Sequence, residues 1–122
     1  MYSYLATPYT HYPSGTAAAY LVACQLTACL VERGLVVYSP IVHSHPLTLY
    51  SRLNPVDHKL WMKVDAPMLE GATALIVAAI ESWRLSDGIK FEIDQFRRQG
   101  RQIIYWDAIH MEEIDTLISQ CV

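Results

Sequence analysis

Short apolar runs alternate along the chain with longer segments whose apolar residues recur at helical spacing. The runs at residues 2–6, 35–38, 74–80 and 102–106 have the length of strands, and the run at 74–80 (ALIVAAI) is apolar without interruption. An uninterrupted run is typical of a central strand that is covered on both faces. The remaining segments predict helices from about residue 16 to 33 and at residues 56–70, 89–99 and 111–119.

Capping residues set the boundaries of these helices. Ser14 or Thr16 can cap the first helix, and Gly34 can end it. Ser86 or Asp87 can cap the helix that continues to residue 99.

The predicted elements follow the order β-α-β-α-β-α-β-α in one domain over residues 1–122. This alternation predicts a three-layer α/β/α fold with a flavodoxin-like (Rossmann-like) parallel sheet of four to five strands. In such sheets ligands bind beyond the carboxyl ends of the strands, near the point where the strand order reverses. The segments that follow the strands are therefore candidates for chemistry, at residues 7–11, 40–46, 81–88 and 107–110. Residues 43–55 predict a polar, irregular loop.

The chain is unusually apolar for its size. It is 52% hydrophobic and only 17% charged, against about 45–50% and about 25% in an average soluble domain. Its longest apolar segments fall short of the ~20 residues that a membrane-spanning helix needs. No Lys or Arg precedes Arg33, whereas a signal peptide begins with a basic region. We therefore expect a cytoplasmic protein whose extra apolar surface is covered by a second subunit.

Charge and cysteine content exclude other classes of protein. The net charge is −3 and the largest basic cluster is Arg97-Arg98, so a nucleic acid polymer is not an expected partner. Cys24, Cys29 and Cys121 have no zinc-ligand spacing and are expected to be free thiols. The chain lacks both the Gly-x-Gly-x-x-Gly and the Gly-Lys-Ser/Thr phosphate motifs, and we expect no cofactor.

His43 and His45 follow the second strand and allow three interpretations. In an extended segment, alternate residues point the same way, so the pair has a metal-ligand spacing. A metal would need a third ligand, for which His11, His58 and Asp107 are loose candidates. The two imidazoles can instead donate hydrogen bonds to a phosphate or hydroxyl of a polar substrate, or they can occupy surface and capping positions.

The loop after the third strand combines an anion site with a carboxylate. Gly88 allows a ligand to approach the backbone, and the helix N-terminus and the Ser86 hydroxyl supply donors. Glu92 lies one turn further on the same helix face. Asp65, on the preceding helix, is the other carboxylate of interest, and alone it can equally be an exposed acid. Trp83, Tyr9 or Trp61 could stack on a substrate, or they could belong to the core.

At these positions the chain resembles the nucleoside 2-deoxyribosyltransferase superfamily, which includes the 2′-deoxynucleoside 5′-monophosphate N-glycosidases. It is most similar to a small DUF1937-like branch. The matching motifs are YLATPY (4–9), SPIVHSHP (39–46), WMKVD (61–65) and SWRLSDGIKFE (82–92).

The resemblance implies a role for each matching residue. Glu92 would attack the anomeric carbon C1′ of deoxyribose, and Asp65 would assist proton delivery to the departing base. Tyr4 would position the nucleophile, and Ser86 would bind the 5′-phosphate. Enzymes that hydrolyse glycosidic bonds commonly use a pair of carboxyl groups in this way.

The leading hypothesis is thus an N-glycosidase, or a base transferase, that acts on a small-molecule nucleotide substrate, a 2′-deoxynucleoside 5′-monophosphate. A nucleotide-binding or sensor module without catalysis, and a metal-dependent enzyme built on the two histidines, are the alternatives. Relatives in the superfamily are dimers or larger, so the resemblance also implies a homodimer or homotetramer.

The first helix supports an oligomer because it is apolar nearly all round. Leu21, Val22, Leu26 and Leu30 can cover the sheet, which leaves Ala18, Tyr20, Cys24 and Ala28 on other faces.

Overall fold

The computed structural model describes residues 1–107. These residues form one parallel sheet with helices on both faces. In chain order the elements are β1 (Ser3–Ala6), α1 (Thr16–Glu32), β2 (Val37–Tyr38), α2 (Pro40–Leu49), α3 (His58–Gly71), β3 (Ala74–Ala78), a 3₁₀ turn (Trp83–Leu85), α4 (Asp87–Arg98) and β4 (Gln102–Trp106). The helix predicted at residues 111–119, His110 and Cys121 lie outside the described residues.

The sheet confirms the predicted three-layer α/β/α, Rossmann-like architecture. Its strand order is β2-β1-β3-β4, and every pair of neighbours is parallel. The chain moves outward from β1 to β2 and then crosses back to place β3 on the other side of β1. The strand order therefore reverses between β1 and β3, where a doubly wound sheet forms its crevice.

Each face of the sheet packs against its own helices. On one face, Leu5 and Ile76 pack with Leu30 of α1. On the other face, Leu75 packs with residues of α3 and α4 that include the fully buried Phe96. Alternate residues of β1 and β3 point to opposite faces, so both strands are buried along their whole length.

The structure confirms two of the predicted helix ends and corrects a third. Ser86 is the N-cap of α4, because its hydroxyl oxygen accepts a hydrogen bond from the Ile89 N–H at 3.2 Å. The side-chain cap predicted for α1 is wrong. Gly15 occupies the N-cap with φ +94°, a left-handed conformation that glycine adopts without strain. Gly34 follows the end of α1 with φ +95°, as predicted.

Helix α2 replaces the first half of the loop that was predicted at residues 43–55. Ser39 caps it by accepting from the Val42 N–H, and Pro40 occupies the first turn. Pro46 lies inside the helix, where it has no N–H to donate to the preceding turn. This proline conceals the helix in the sequence. Helix α2 contacts α1 and β1 at the carboxyl ends of the strands.

The predicted sheet-facing side of α1 is partly wrong. Ala19, Ala23 and Leu30 are its buried residues, whereas Leu21 is 58% exposed. Small residues thus lie inside the fold and a large apolar side chain lies outside. None of the helices within residues 1–107 combines the length and apolarity needed to cross a membrane.

Candidate active site

A cleft of about 570 Å³ opens at the carboxyl end of β1, between α3 and α4. Its walls come from β1 and the loop after it, from the first half of α2, and from α3 and α4. The cleft therefore lies where the strand order reverses, as expected for such a sheet. The predicted site residues that line it are Tyr4, Tyr9, Asp65, Ser86, Gly88 and Glu92.

Glu92 lies one turn into α4, beside the start of the helix. A Cβ atom on Gly88 would lie 3.9 Å from Glu92 Oε1 and 3.8 Å from Ser86 Oγ, so the three residues adjoin. Oε2 of Glu92 is shielded from solvent and has no hydrogen-bond partner among the described residues. Burial raises the pKa of Glu92 well above its usual value, and the negative charge of Asp65 raises it further. The site thus favours the protonated carboxyl at this position.

Asp65 reaches the same cleft from α3. The Tyr38 hydroxyl donates a hydrogen bond to its Oδ1 at 3.1 Å. Burial raises the pKa of Asp65, while this hydrogen bond and the nearby His43 act in the opposite direction. The net shift is upward, so Asp65 holds its proton to higher pH than an exposed aspartate does.

Tyr4 brings a buried phenol to the two carboxylates. Its side chain is only 1% exposed, and its ring lies 5.7 Å from that of Tyr38, its partner across β1 and β2. Burial raises the pKa of Tyr4, and the charges of Glu92 and Asp65 raise it further. The phenol therefore stays neutral and keeps a proton to donate.

The start of α4 carries donors for an anionic or polar group. The Ser86 oxygen accepts from the Ile89 N–H, which leaves the hydroxyl proton available to a ligand. By position, the first N–H groups of a helix, here those of Asp87 and Gly88, have no acceptor inside the helix. The exposed carboxylate of Asp87 also lines the cleft, next to these donors.

His43 and His45 do not form the pair that an extended segment would make. They lie on α2, where residues two apart point roughly 200° away from each other. The buried His45 shares a 2.7 Å hydrogen bond between its Nδ1 and the Tyr9 hydroxyl, and it stacks on Tyr20 with ring centroids 4.5 Å apart. The exposed His43 has its Nδ1 3.5 Å from the Tyr38 hydroxyl.

The metal interpretation of these histidines loses its geometric basis, because it required both side chains to point the same way. Within residues 1–107, no three or more His, Cys, Asp or Glu side chains form a group that could hold a metal ion. His43 and His45 are also absent from the cleft lining. His43 instead contacts Tyr38 at the end of β2, and His45 contacts Tyr9 in the loop after β1.

Trp83 takes the second of the two positions that the sequence allowed, because it packs against the core. It lies on the 3₁₀ turn, with its ring 5.7 Å from that of Tyr105 and the Arg84 guanidinium 5.1 Å above it. It is absent from the cleft lining, whereas Tyr9 and Trp61 are part of it. These two aromatic residues are the better candidates for stacking on a ligand.

Tyr38 is the residue of the site that the sequence analysis missed. It is the last residue of β2 and pairs in register with Tyr4 of β1. A tyrosine at the carboxyl end of a predicted strand was therefore the available signal, whereas Tyr4 was identified through the family resemblance.

The comparison with family models identifies a match. A family model described as "Domain of unknown function (DUF1937)" matches residues 2–108, and no curated protein matches the chain. The match spans all the strands described above and every residue of the cleft. It confirms the DUF1937-like part of the resemblance, while the wider relation to the nucleoside 2-deoxyribosyltransferase superfamily stays a prediction.

Proposed function

The chain belongs to the DUF1937 family, and we propose that it cleaves the N-glycosidic bond of a 2′-deoxynucleoside 5′-monophosphate, by hydrolysis or by transfer to another base. One observation carries this proposal. Asp65, a carboxylic acid whose pKa is raised, and Glu92 enter one cleft from different helices beside the N-terminus of α4.

The chemistry needs two acids with different tasks. As the bond to the base breaks, positive charge develops at C1′, and the Glu92 carboxylate traps it by forming a bond to that carbon. Asp65 gives its proton to the base, which leaves with the electron pair of the broken bond. The neutral phenol of Tyr4 orients the carboxyl group of Glu92. Water or a second base then displaces Glu92 from the sugar.

The start of α4 suits the 5′-phosphate of this substrate. Two free N–H groups and the Ser86 hydroxyl would hold the phosphate oxygens, and the absence of a side chain on Gly88 allows close approach. This contact would fix the sugar relative to Glu92, which lies one turn further on. Tyr9 or Trp61 would stack on the base. The volume of about 570 Å³ is within the range of small-molecule sites.

A panel of 2′-deoxynucleoside 5′-monophosphates, assayed by HPLC for free base with and without an acceptor base, tests the proposal. We expect release from at least one nucleotide, and a decrease of at least 100-fold in Glu92→Gln and Asp65→Asn, since such groups contribute about 10²–10⁴-fold each. Asp94→Asn is the matched control, because Asp94 is an exposed acid of α4 that pairs with Arg98. Undiminished release in Glu92→Gln would contradict the mechanism.

A nucleotide-binding module without catalysis is the second candidate. It is favoured by the raised pKa of Glu92, since a protonated carboxyl cannot attack carbon. Calorimetry, which measures binding, and the base-release assay together separate the two candidates. A module of this kind binds a deoxynucleotide and releases no base at any pH, whereas the enzyme releases base once Glu92 ionises.

A further inference from the structure

A chain of three polar side chains runs from the protein surface to the acid of the cleft. His43 is exposed on α2, and its Nδ1 lies 3.5 Å from the Tyr38 hydroxyl, the outer limit of a hydrogen bond. The Tyr38 hydroxyl in turn donates to Oδ1 of Asp65 at 3.1 Å. Neither His43 nor Tyr38 lines the cleft. Tyr38 therefore contacts Asp65, and His43 contacts Tyr38, from outside the cleft.

The direction of the hydrogen bonds among these three side chains decides which oxygen of Asp65 carries its proton. When the imidazole Nδ1–H donates to the phenolic oxygen, the phenolic proton is left to point at Asp65. In a protonated carboxyl group the carbonyl oxygen is the stronger acceptor, so a donor that points at one oxygen favours the acidic proton on the other. Oδ1 is the acceptor here, so this arrangement favours the proton on Oδ2.

We propose that Tyr38 and His43 are positioning residues for Asp65, which fix its Oδ1 as an acceptor and so leave the transferable proton on Oδ2. This inference rests on the proposed function, in which Asp65 protonates the departing base. In that step the bond from Oδ2 to hydrogen breaks, a bond from the base nitrogen to hydrogen forms, and the glycosidic electron pair stays on the base. Tyr38 keeps its own proton and stabilises the new carboxylate.

The groups that face Asp65 come from four other elements. They are Tyr4 of β1, Tyr38 of β2, His43 of α2 and Glu92 of α4. On α3 itself, the other ionisable residues that line the cleft are His58, Lys63 and Glu70. Of these groups, Tyr38 and His43 hold down the pKa of Asp65 against the effect of burial. Removal of either group should therefore raise this pKa.

The first test needs no substrate. Carbon-13 NMR titration gives the pKa of the Asp65 carboxyl, with the resonance assigned by its loss in Asp65→Asn. We expect this pKa to be higher in Tyr38→Phe than in the wild type, and unchanged in the matched control Tyr105→Phe, whose lost hydroxyl accepts from Arg97. An unchanged pKa in a folded Tyr38→Phe protein would overturn the inference, whatever the substrate is.

The second test uses base release from the deoxynucleotide that the panel identifies. Asp65 must be protonated to act, so kcat falls as the pH rises through its pKa. In Tyr38→Phe we expect this alkaline limb to move to higher pH, kcat to fall about 10-fold or more and KM to change less than about twofold. A fall in kcat with an unmoved pH profile would mean that Tyr38 is merely structural, and it would overturn the inference.

His43 gives a third comparison at an exposed position that the fold tolerates. In His43→Asn the side chain keeps an N–H donor, and in His43→Ala the donor is lost. We expect kcat to stay within about threefold of wild type in His43→Asn and to fall about 10-fold in His43→Ala. Equal losses in both variants would overturn the role of His43. A wild type that releases no base refutes the proposed function, and the NMR titration still decides whether Tyr38 acts on Asp65.

Discussion

At the scale of single residues, Glu92 combines a position in the candidate site with a cost to folding. Its Oε2 is buried without a hydrogen-bond partner among the described residues, and burial raises its pKa well above the usual value. A group whose pKa is higher in the folded state binds more protons there than in the unfolded chain. The contribution of this group to the free energy of unfolding is fully present below its pKa in the unfolded chain. It decreases as the pH rises from that pKa to the pKa in the folded protein.

The variant Glu92→Gln removes the ionisable group and should therefore stabilise the protein at neutral pH. We expect its free energy of unfolding to exceed that of the wild type at pH 7, by about 1.4 kcal/mol for each pH unit between the two pKa values of Glu92. The difference should shrink toward pH ~4, where the carboxyl is protonated in both states. Urea unfolding at both pH values measures it, and an equal difference at the two pH values would contradict the sign.

A substitution at Gly88, at the start of the same helix, should change stability and ligand binding in opposite directions. Its neighbours lie at ordinary contact distance from an added Cβ, so Gly88→Ala introduces no clash. Alanine is favoured over glycine in a helix by about 0.5–1 kcal/mol, and we expect the variant to be more stable by up to that amount. We also expect a higher KM for the nucleotide, because the methyl group occupies the approach to the helix N-terminus. Thermal unfolding and steady-state kinetics check the two effects, and an unchanged KM would refute the predicted close approach.

At the scale of elements, the end of α3 is held by a residue of the loop before β4. Nη1 of Arg101 donates to the carbonyl oxygens of Leu69, Glu70 and Ala72 at 3.0, 3.1 and 2.7 Å. Its guanidinium also lies 3.7 Å from the centroid of the Phe96 ring on α4. These carbonyl groups lie at the helix C-terminus, where a cation is favoured. Arg101 thus ties α3, which carries Asp65, to α4, which carries Glu92.

Loss of this guanidinium should loosen α3. Arg101→Lys keeps the charge but loses the planar group that contacts three carbonyls and a ring. We expect a loss of about 1.5–3 kcal/mol in the free energy of unfolding, the range for hydrogen bonds to a charged group. Arg98→Lys is the control, since Arg98 forms an exposed ion pair with Asp94 and should lose less than about 0.5 kcal/mol. Equal losses in the two variants would show that Arg101 does not hold α3.

At the scale of the whole molecule, the apolar excess of the composition lies partly on the surface. Leu21 on α1 is 58% exposed, Val31 on α1 is 55% exposed, and Val36 before β2 is 66% exposed. The interior of α1 is filled instead by Ala19 and Ala23. Large apolar side chains thus face outward on α1 and just before the edge strand β2, which fits the expected homo-oligomer.

The oligomer remains a prediction with a direct test. We expect light scattering after size exclusion to give a dimer or tetramer at micromolar concentration. We also expect Leu21→Glu to shift the mass toward the monomer, because a buried charge in an apolar interface is strongly unfavourable. Gln102→Glu is the control, a change from a neutral to an acidic side chain at an exposed residue of β4. A monomeric wild type would refute the prediction.

The sequence by itself determined the layers of the fold and the identity of the main acids. Uninterrupted apolar runs predict strands that are buried on both faces, and Ser86 and Gly34 mark helix ends through local backbone chemistry. The motif spacing and the family resemblance identified Tyr4, Asp65 and Glu92, which the structure brings to one cleft. These features depend on local patterns, which can be read along the chain.

Only the tertiary structure decided what surrounds those acids. Pro46 hides α2 in the sequence, and the formation of that helix separates His43, which contacts Tyr38 of β2, from His45, which contacts Tyr9 in the loop after β1. The contact of Tyr38 with Asp65 joins residues 27 positions apart. Burial and the proximity of charges, which shift the pKa values of Asp65 and Glu92, likewise arise between elements. Such effects require the packed fold, since spacing along the chain carries no information about them.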